Sequence, residues 1–130
     1  MIKSKQKHIK WINFSGTNTI DKVSFKKFFR EHVNFIASGG RTGRPLVIEG
    51  KTIVKLHLHK YNLTGVQFKF CRFVACKFEG CNLENSVFLG CELNDCSITG
   101  GNFKNIHFEV LYNRTKLDPI LPLDKTKKIS

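Results

Sequence analysis

The sequence predicts an all-β solenoid over the centre of the chain, and three observations predict it. Read in fives from Leu46, the chain runs LVIEG, KTIVK, LHLHK, YNLTG, VQFKF, CRFVA, CKFEG, CNLEN, SVFLG, CELND, CSITG, GNFKN, IHFEV. The third position of all thirteen blocks is Ile, Leu or Phe. The first position is mostly small or apolar, with Lys51 and Tyr61 departing, and the fifth is often Gly or Asn, as at Gly50, Gly65, Gly80, Asn85, Gly90, Gly100 and Asn105.

A period of five fits neither a helix, at 3.6, nor a flat strand, at 2. It fits a chain that turns a corner every five residues. The first and third side chains then point inward and the rest point out. Gly and Asn tolerate the backbone angles that corners need.

CNLEN, YNLTG and GNFKN resemble the motif of the pentapeptide repeat family: a small residue, Asp or Asn, Leu or Phe, then two variable positions. The resemblance covers residues 46–110, 65 of the 130. It implies a right-handed quadrilateral β-helix with four blocks per coil, hence about three coils. Stacked coils should lie ~4.8 Å apart. Such a stack needs a cap at each end.

The flanks supply candidate caps. Residues 1–45 form a basic N-terminal segment, and 111–130 form a C-terminal tail. DKVSFKKFFREHVNFIAS, Asp21 to Ser38, predicts an amphipathic α-helix with Phe25, Phe28, Phe29, Val33 and Ile36 on one face. Asp21 or Thr19 would cap its start, and Gly39–Gly40 would end it. Ile9 to Phe14 alternates weakly and suggests a short strand, while Arg41 to Pro45 reads as a connector. In the tail, LDPILPL should pack across the last coil and DKTKKIS should fray.

The net charge of +12 is uneven. Residues 1–45 hold ten Lys and Arg against Asp21 and Glu31, the repeats hold seven against six acidic residues, and the tail holds five against two. The attachments are therefore basic and the solenoid nearly neutral. Some members of the resembled family bind DNA gyrase by mimicking duplex DNA, which implies an acidic surface. Here the charge argues against that mode. A basic flank instead attracts an anionic partner, which leaves nucleic acid open beside solvated charge. The basic candidates are Lys22, Lys26, Lys27, Arg30, Arg41 and Arg44.

With four blocks per coil, residues 20 apart stack in columns. Asn62, Asn82 and Asn102 form one, expected to be a hydrogen-bonded ladder; Arg72 and Glu92 share another and should pair. Phe70, Val87 and Leu89, near Val47, are outward apolar positions. They read as a contact patch, a surface for homodimerisation, or a face covered by the flanks.

No catalytic constellation stands out. Cys71, Cys76, Cys81, Cys91 and Cys96 all take the first block position, where a small buried residue is needed, so they read as core and not as a metal site. His57 and His59 read as an exposed polar edge. Glycine-rich GGRTG at residues 39–43 lacks the Lys-Ser/Thr ending of a phosphate loop. No cofactor is expected. The basic N-terminus has no apolar run of signal-peptide length and no stretch reaches membrane-span length, so a cytoplasmic protein is expected, and the family resemblance implies a bacterial or phage origin. The functional expectation is a non-enzymatic protein–protein interaction module that modulates a host or bacterial macromolecule, with nucleic-acid binding as the alternative.

Overall fold

The computed structural model describes residues 19–129. The strand expected at Ile9 to Phe14 lies outside that range. Within it the chain enters as β1 (Thr19–Ile20), forms helix α1 (Lys22–Ala37), and then winds into a β-helix of parallel strands. One sheet is built from β2 (Val47–Glu49), β3 (Thr52–Val54), β5 (Gln67–Lys69), β6 (Arg72–Val74), β8 (Val87–Asn94) and β10 (His107–Asn113), with β1 and β12 (Lys127–Lys128) at its ends. The other stacks β4 (His57–His59), β7 (Lys77–Glu79), β9 (Ser97–Thr99) and β11 (Lys116–Leu117). The wall of the Asn62, Asn82 and Asn102 blocks pairs through single parallel bridges.

Register follows the pentad. Val47 lies over Gln67 and then Val87, and Thr52 over Arg72 and then Glu92, each step 20 residues. Four walls per coil result, in about four turns. Every corner sits at the fifth position with a left-handed backbone, at non-glycine residues such as Phe70 and Ala75 as well as at glycines. A left-handed non-glycine residue costs about 1–2 kcal/mol. Burying one Leu, Ile or Phe third-position side chain contributes about 1.5–3 kcal/mol. Each block therefore outweighs its own corner, which is why the third position is never polar while the fifth is permissive.

The core is a column of those third positions. Phe68, Phe73, Phe78 and Phe88 are all essentially unexposed, with ring centroids 5.1–6.4 Å apart. The cysteines repeat one contact down the stack. Each thiol reaches the third-position carbonyl 23 residues earlier, from Cys71 to Ile48 at 3.3 Å through Cys96 to Phe73 at 3.5 Å. Burial pushes the Cys81 and Cys91 thiols up from their ordinary range. All five are free and buried.

The repeat register ends at Val110 in sequence, but the ladder does not end there. Between Glu109 and Val110 the pairing slips by one residue, so that Val110 takes Cys91 as partner and Tyr112 takes Leu93. The block at Ile106 has lost its corner residue, and the chain then runs on through β10 and β11. Thr115 continues the Cys76–Cys96 column, its hydroxyl accepting from Cys96 N–H at 3.2 Å. At the foot of the stack the Asp118 carboxylate accepts from Gly100 N–H at 2.7 Å and from Ile120 N–H at 3.1 Å. The Ile120 and Gly100 amides hold its pKa below the usual carboxylate range. Leu121 is buried, as expected of LDPILPL, whereas Lys127–Lys128 pairs with Leu111–Tyr112 where fraying was expected. The edge of β10 supplies partners for that strand.

Candidate binding surfaces

Helix α1 starts where a side chain replaces the missing helical acceptor. Asp21 is the N-cap, accepting from Ser24 N–H at 3.0 Å, and that bond lowers its pKa. At the other end Gly40 N–H returns to the Phe35 carbonyl at 2.8 Å. The chain then folds straight back, with Arg44 N–H on the Glu31 carbonyl at 3.1 Å. Gly43 makes this return possible: its φ is +74°, and a Cβ there would stand 2.4 Å from the Glu31 oxygen. The glycine-rich link is thus a tight reversal against the helix.

The buried stripe of α1 differs from the expected one. Phe25 and His32 are buried, Phe29 and Ile36 half-buried, while Phe28 and Val33 are 46% and 42% exposed. Positions 25, 29, 32 and 36 follow the spacing of a narrow stripe. The open end of a four-walled tube is only wide enough to cover that stripe, so Phe28 and Val33 flank it on opposite sides.

His32 was not singled out from sequence, because a histidine in a polar helix carries no spacing signal. Leu46 N–H donates to its Nδ1 at 2.9 Å, and its Nε2 lies 2.9 Å from the Thr64 carbonyl. The first contact makes Nδ1 an acceptor, so Nε2 carries the hydrogen. One neutral ring thereby ties the helix to the strand entering the first coil and to the fourth wall. Burial lowers its pKa.

The sequence-predicted basic residues are all exposed, but they do not form one patch. Lys22, Lys26 and Arg30 are four residues apart on α1, so they lie in one row at about 6 Å steps. Lys26 and Arg30 border a groove with Tyr61. Arg44 borders a second groove on the other side, with Phe28, Glu31 and Val47. Lys22, Lys27 and Arg41 border neither groove.

The apolar candidates share the first wall, that of β2, β5, β8 and the start of β10. Val47 is 49% exposed and Val87 and Leu89 are half-buried. Phe70 is half-buried, its ring over the next corner, where a Cβ on Gly90 would meet it at 2.8 Å. Phe28 and Arg44 extend this wall upward through the second groove.

The remaining walls are more polar. Arg72 and Glu92 pair at 3.7 Å, as expected, and Asn94 donates to Glu92 at 2.9 Å. Arg114 and Asp95 form a bidentate pair at 2.6 and 3.0 Å across the last corner, and Arg114 depresses the Asp95 pKa. The asparagine column differs from the expected ladder. Asn62, Asn82 and Asn102 each accept from the backbone N–H two residues on, at 3.2, 3.1 and 2.9 Å, so each pins its own turn. His57 and His59 are exposed above Lys77 and Glu79, which places Glu79 beside His59 in register. Among the described residues no cluster of His, Cys, Asp or Glu is arranged to hold a metal ion. Nor is any helix among them long and apolar enough to cross a membrane.

The stacked pentads agree with comparison to known proteins. The family model for pentapeptide repeats matches in eight copies, at residues 62–100 and 71–109. No curated protein and no solved structure matches the chain significantly. Period, register and family match coincide over residues 62–109, and this part of the chain is built of pentapeptide repeats.

Proposed function

We propose that the protein is a non-enzymatic protein-interaction module whose contact surface is the first wall of the solenoid. One observation carries this reading. That wall presents Val47, Val87, Leu89 and Phe70 on rigid parallel strands, and Phe28 and Arg44 prolong it at the cap. The third wall presents polar columns such as His57 and Lys77, and the fourth presents asparagines. The tube interior is filled by Phe, Leu and Ile, so function falls to the outward columns. The same columns carry Glu49, Gln67, Lys69, His107 and Glu109, so the wall is a rigid strip of apolar side chains set among polar and charged ones, with Arg44 at the cap end, and it suits a protein partner with an apolar contact centre and a polar, partly charged margin. Positive charge at the cap disfavours imitation of duplex DNA, so a topoisomerase is the less favoured partner.

Photo-crosslinking tests the reading. A crosslinking amino acid at Val87 or Leu89 should capture one discrete protein, and the same residue at His59 on the third wall should not. Leu89→Lys should abolish the capture while leaving thermal unfolding unchanged. Equal capture from both walls would refute the assignment.

A further inference from the structure

The groove between α1 and the fourth wall has a composition that no sequence motif announces. It is a shallow, open groove of about 310 Å3, lined by Lys26, Phe29, Arg30, Val33, Asn34 and Tyr61. We propose that it binds single-stranded nucleic acid, with one base against the Phe29–Tyr61 pair and the phosphates along Lys22, Lys26 and Arg30.

The floor is an aromatic pair, the rings of Phe29 and Tyr61 lying 4.8 Å apart at 44°. Phe25 stacks behind Phe29 at 6.1 Å and is itself buried. The platform is thus held from beneath, and little ordering is required when a ligand arrives. Both rings are half-buried and keep accessible surface toward the groove. Above them the rim is cationic. Lys26 and Arg30 line the groove, exposed Lys22 continues their row one helical turn before it, and Glu31 borders the opposite groove with Phe28 and Val47. Asn34 adds an amide, both donor and acceptor, to the lining.

An aromatic floor beneath a basic row is the combination used for single strands, where bases stack on rings and cations follow the backbone. The volume is at the lower end of small-ligand pockets, enough for one unstacked base. A duplex keeps its bases inside and would meet only the cations. The groove lies across α1 from the proposed protein-contact wall, so the two proposals stand independently.

Fluorescence anisotropy of a short labelled oligothymidylate, with a duplex control, decides the matter at about 50 and about 200 mM salt. The single strand should bind more tightly than the duplex and weaken with salt. Tyr61→Leu keeps apolar packing without the stacking face, and should weaken binding about tenfold; Tyr61→Phe should not. Replacing Lys26 and Arg30 by Gln should reduce the slope of log affinity against log salt by about 1.4. Val33→Glu, at an exposed rim position, should abolish binding without altering the unfolding transition, and so covers the case in which Tyr61→Leu fails to fold. Equal binding of duplex and single strand, or binding untouched by Tyr61→Leu and Val33→Glu, would overturn the proposal. Binding of polyglutamate in place of the oligonucleotide would also overturn it, and would assign the groove to an acidic protein segment.

Discussion

Acidification should weaken this fold at the cap, through His32. The ring is 1% exposed, and both of its nitrogens are engaged in the neutral state. A proton on Nδ1 would turn the acceptor of Leu46 N–H into a donor, so two N–H groups would face each other in a buried site. Burial therefore lowers the folded-state pKa, the Thr64 carbonyl acting in the opposite direction. The unfolded chain, with an ordinary value of about 6.5, takes up the proton first. Stability from His32 is thus complete above about pH 6.5 and falls as the pH drops from there toward the folded value. The slope is at most about 1.4 kcal/mol per pH unit. Asp21, Asp95 and Asp118 are all shifted down from 3.8, so their contributions are lost only in more acid solution and leave this window clear. The assay is guanidinium unfolding of the wild type and His32→Gln at about pH 7.5 and about pH 5.5. The amide does not titrate. His32→Gln should cost about 1–3 kcal/mol at the higher pH, because Leu46 N–H and the Thr64 carbonyl are no longer both well paired. It should also show a smaller pH dependence than the wild type. Identical losses of stability on acidification in the two proteins would refute the argument.

Four further outcomes follow from the solenoid and its cap. The five buried thiols should resist a disulfide-exchange reagent in the native protein and all react once it is unfolded; a thiol that reacts at once would mean a locally open coil. Ser86 occupies a cysteine-type position, 1% exposed, and its hydroxyl has no partner among the described residues. Ser86→Ala should raise stability by about 1 kcal/mol in denaturant unfolding, and a loss of that size would show that the hydroxyl is bonded. Gly43→Ala should destabilise by more than 1 kcal/mol, about the reverse of a harmless loop change, because its Cβ would strike the Glu31 carbonyl. Ala75→Gly, at a left-handed corner with φ 57°, should instead stabilise by about 0.5 kcal/mol, and melting temperatures of the two variants moving in the same direction would contradict the corner geometry.

Much of this was legible in the chain because the solenoid is local. A block sees only the blocks 20 residues before and after it, so the third-position rule, the buried cysteines and the Arg72–Glu92 pair could be read from spacing alone. Asp21 as cap and Gly39–Gly40 as terminator were equally local. The continuation past Val110 was hidden by a single missing corner residue, since a fixed frame of five loses every later hit once it slips. Fraying of Lys127–Lys128 was a reasonable expectation from charge, but the open edge of β10 offers backbone partners that composition does not reveal.

The sequence by itself determined the wall-by-wall architecture, the occupants of the core and the positive sign of the flanks, because each depends on side-chain type at a fixed period. Tertiary structure alone decided which stripe of α1 is buried, that His32 joins the helix to two parts of the first coil, and that Tyr61 meets Phe29 beneath Lys26 and Arg30. Those contacts join residues some 14 to 32 positions apart through the way a helix seats on the end of a tube. No repeat specifies that docking, so no periodicity could announce it.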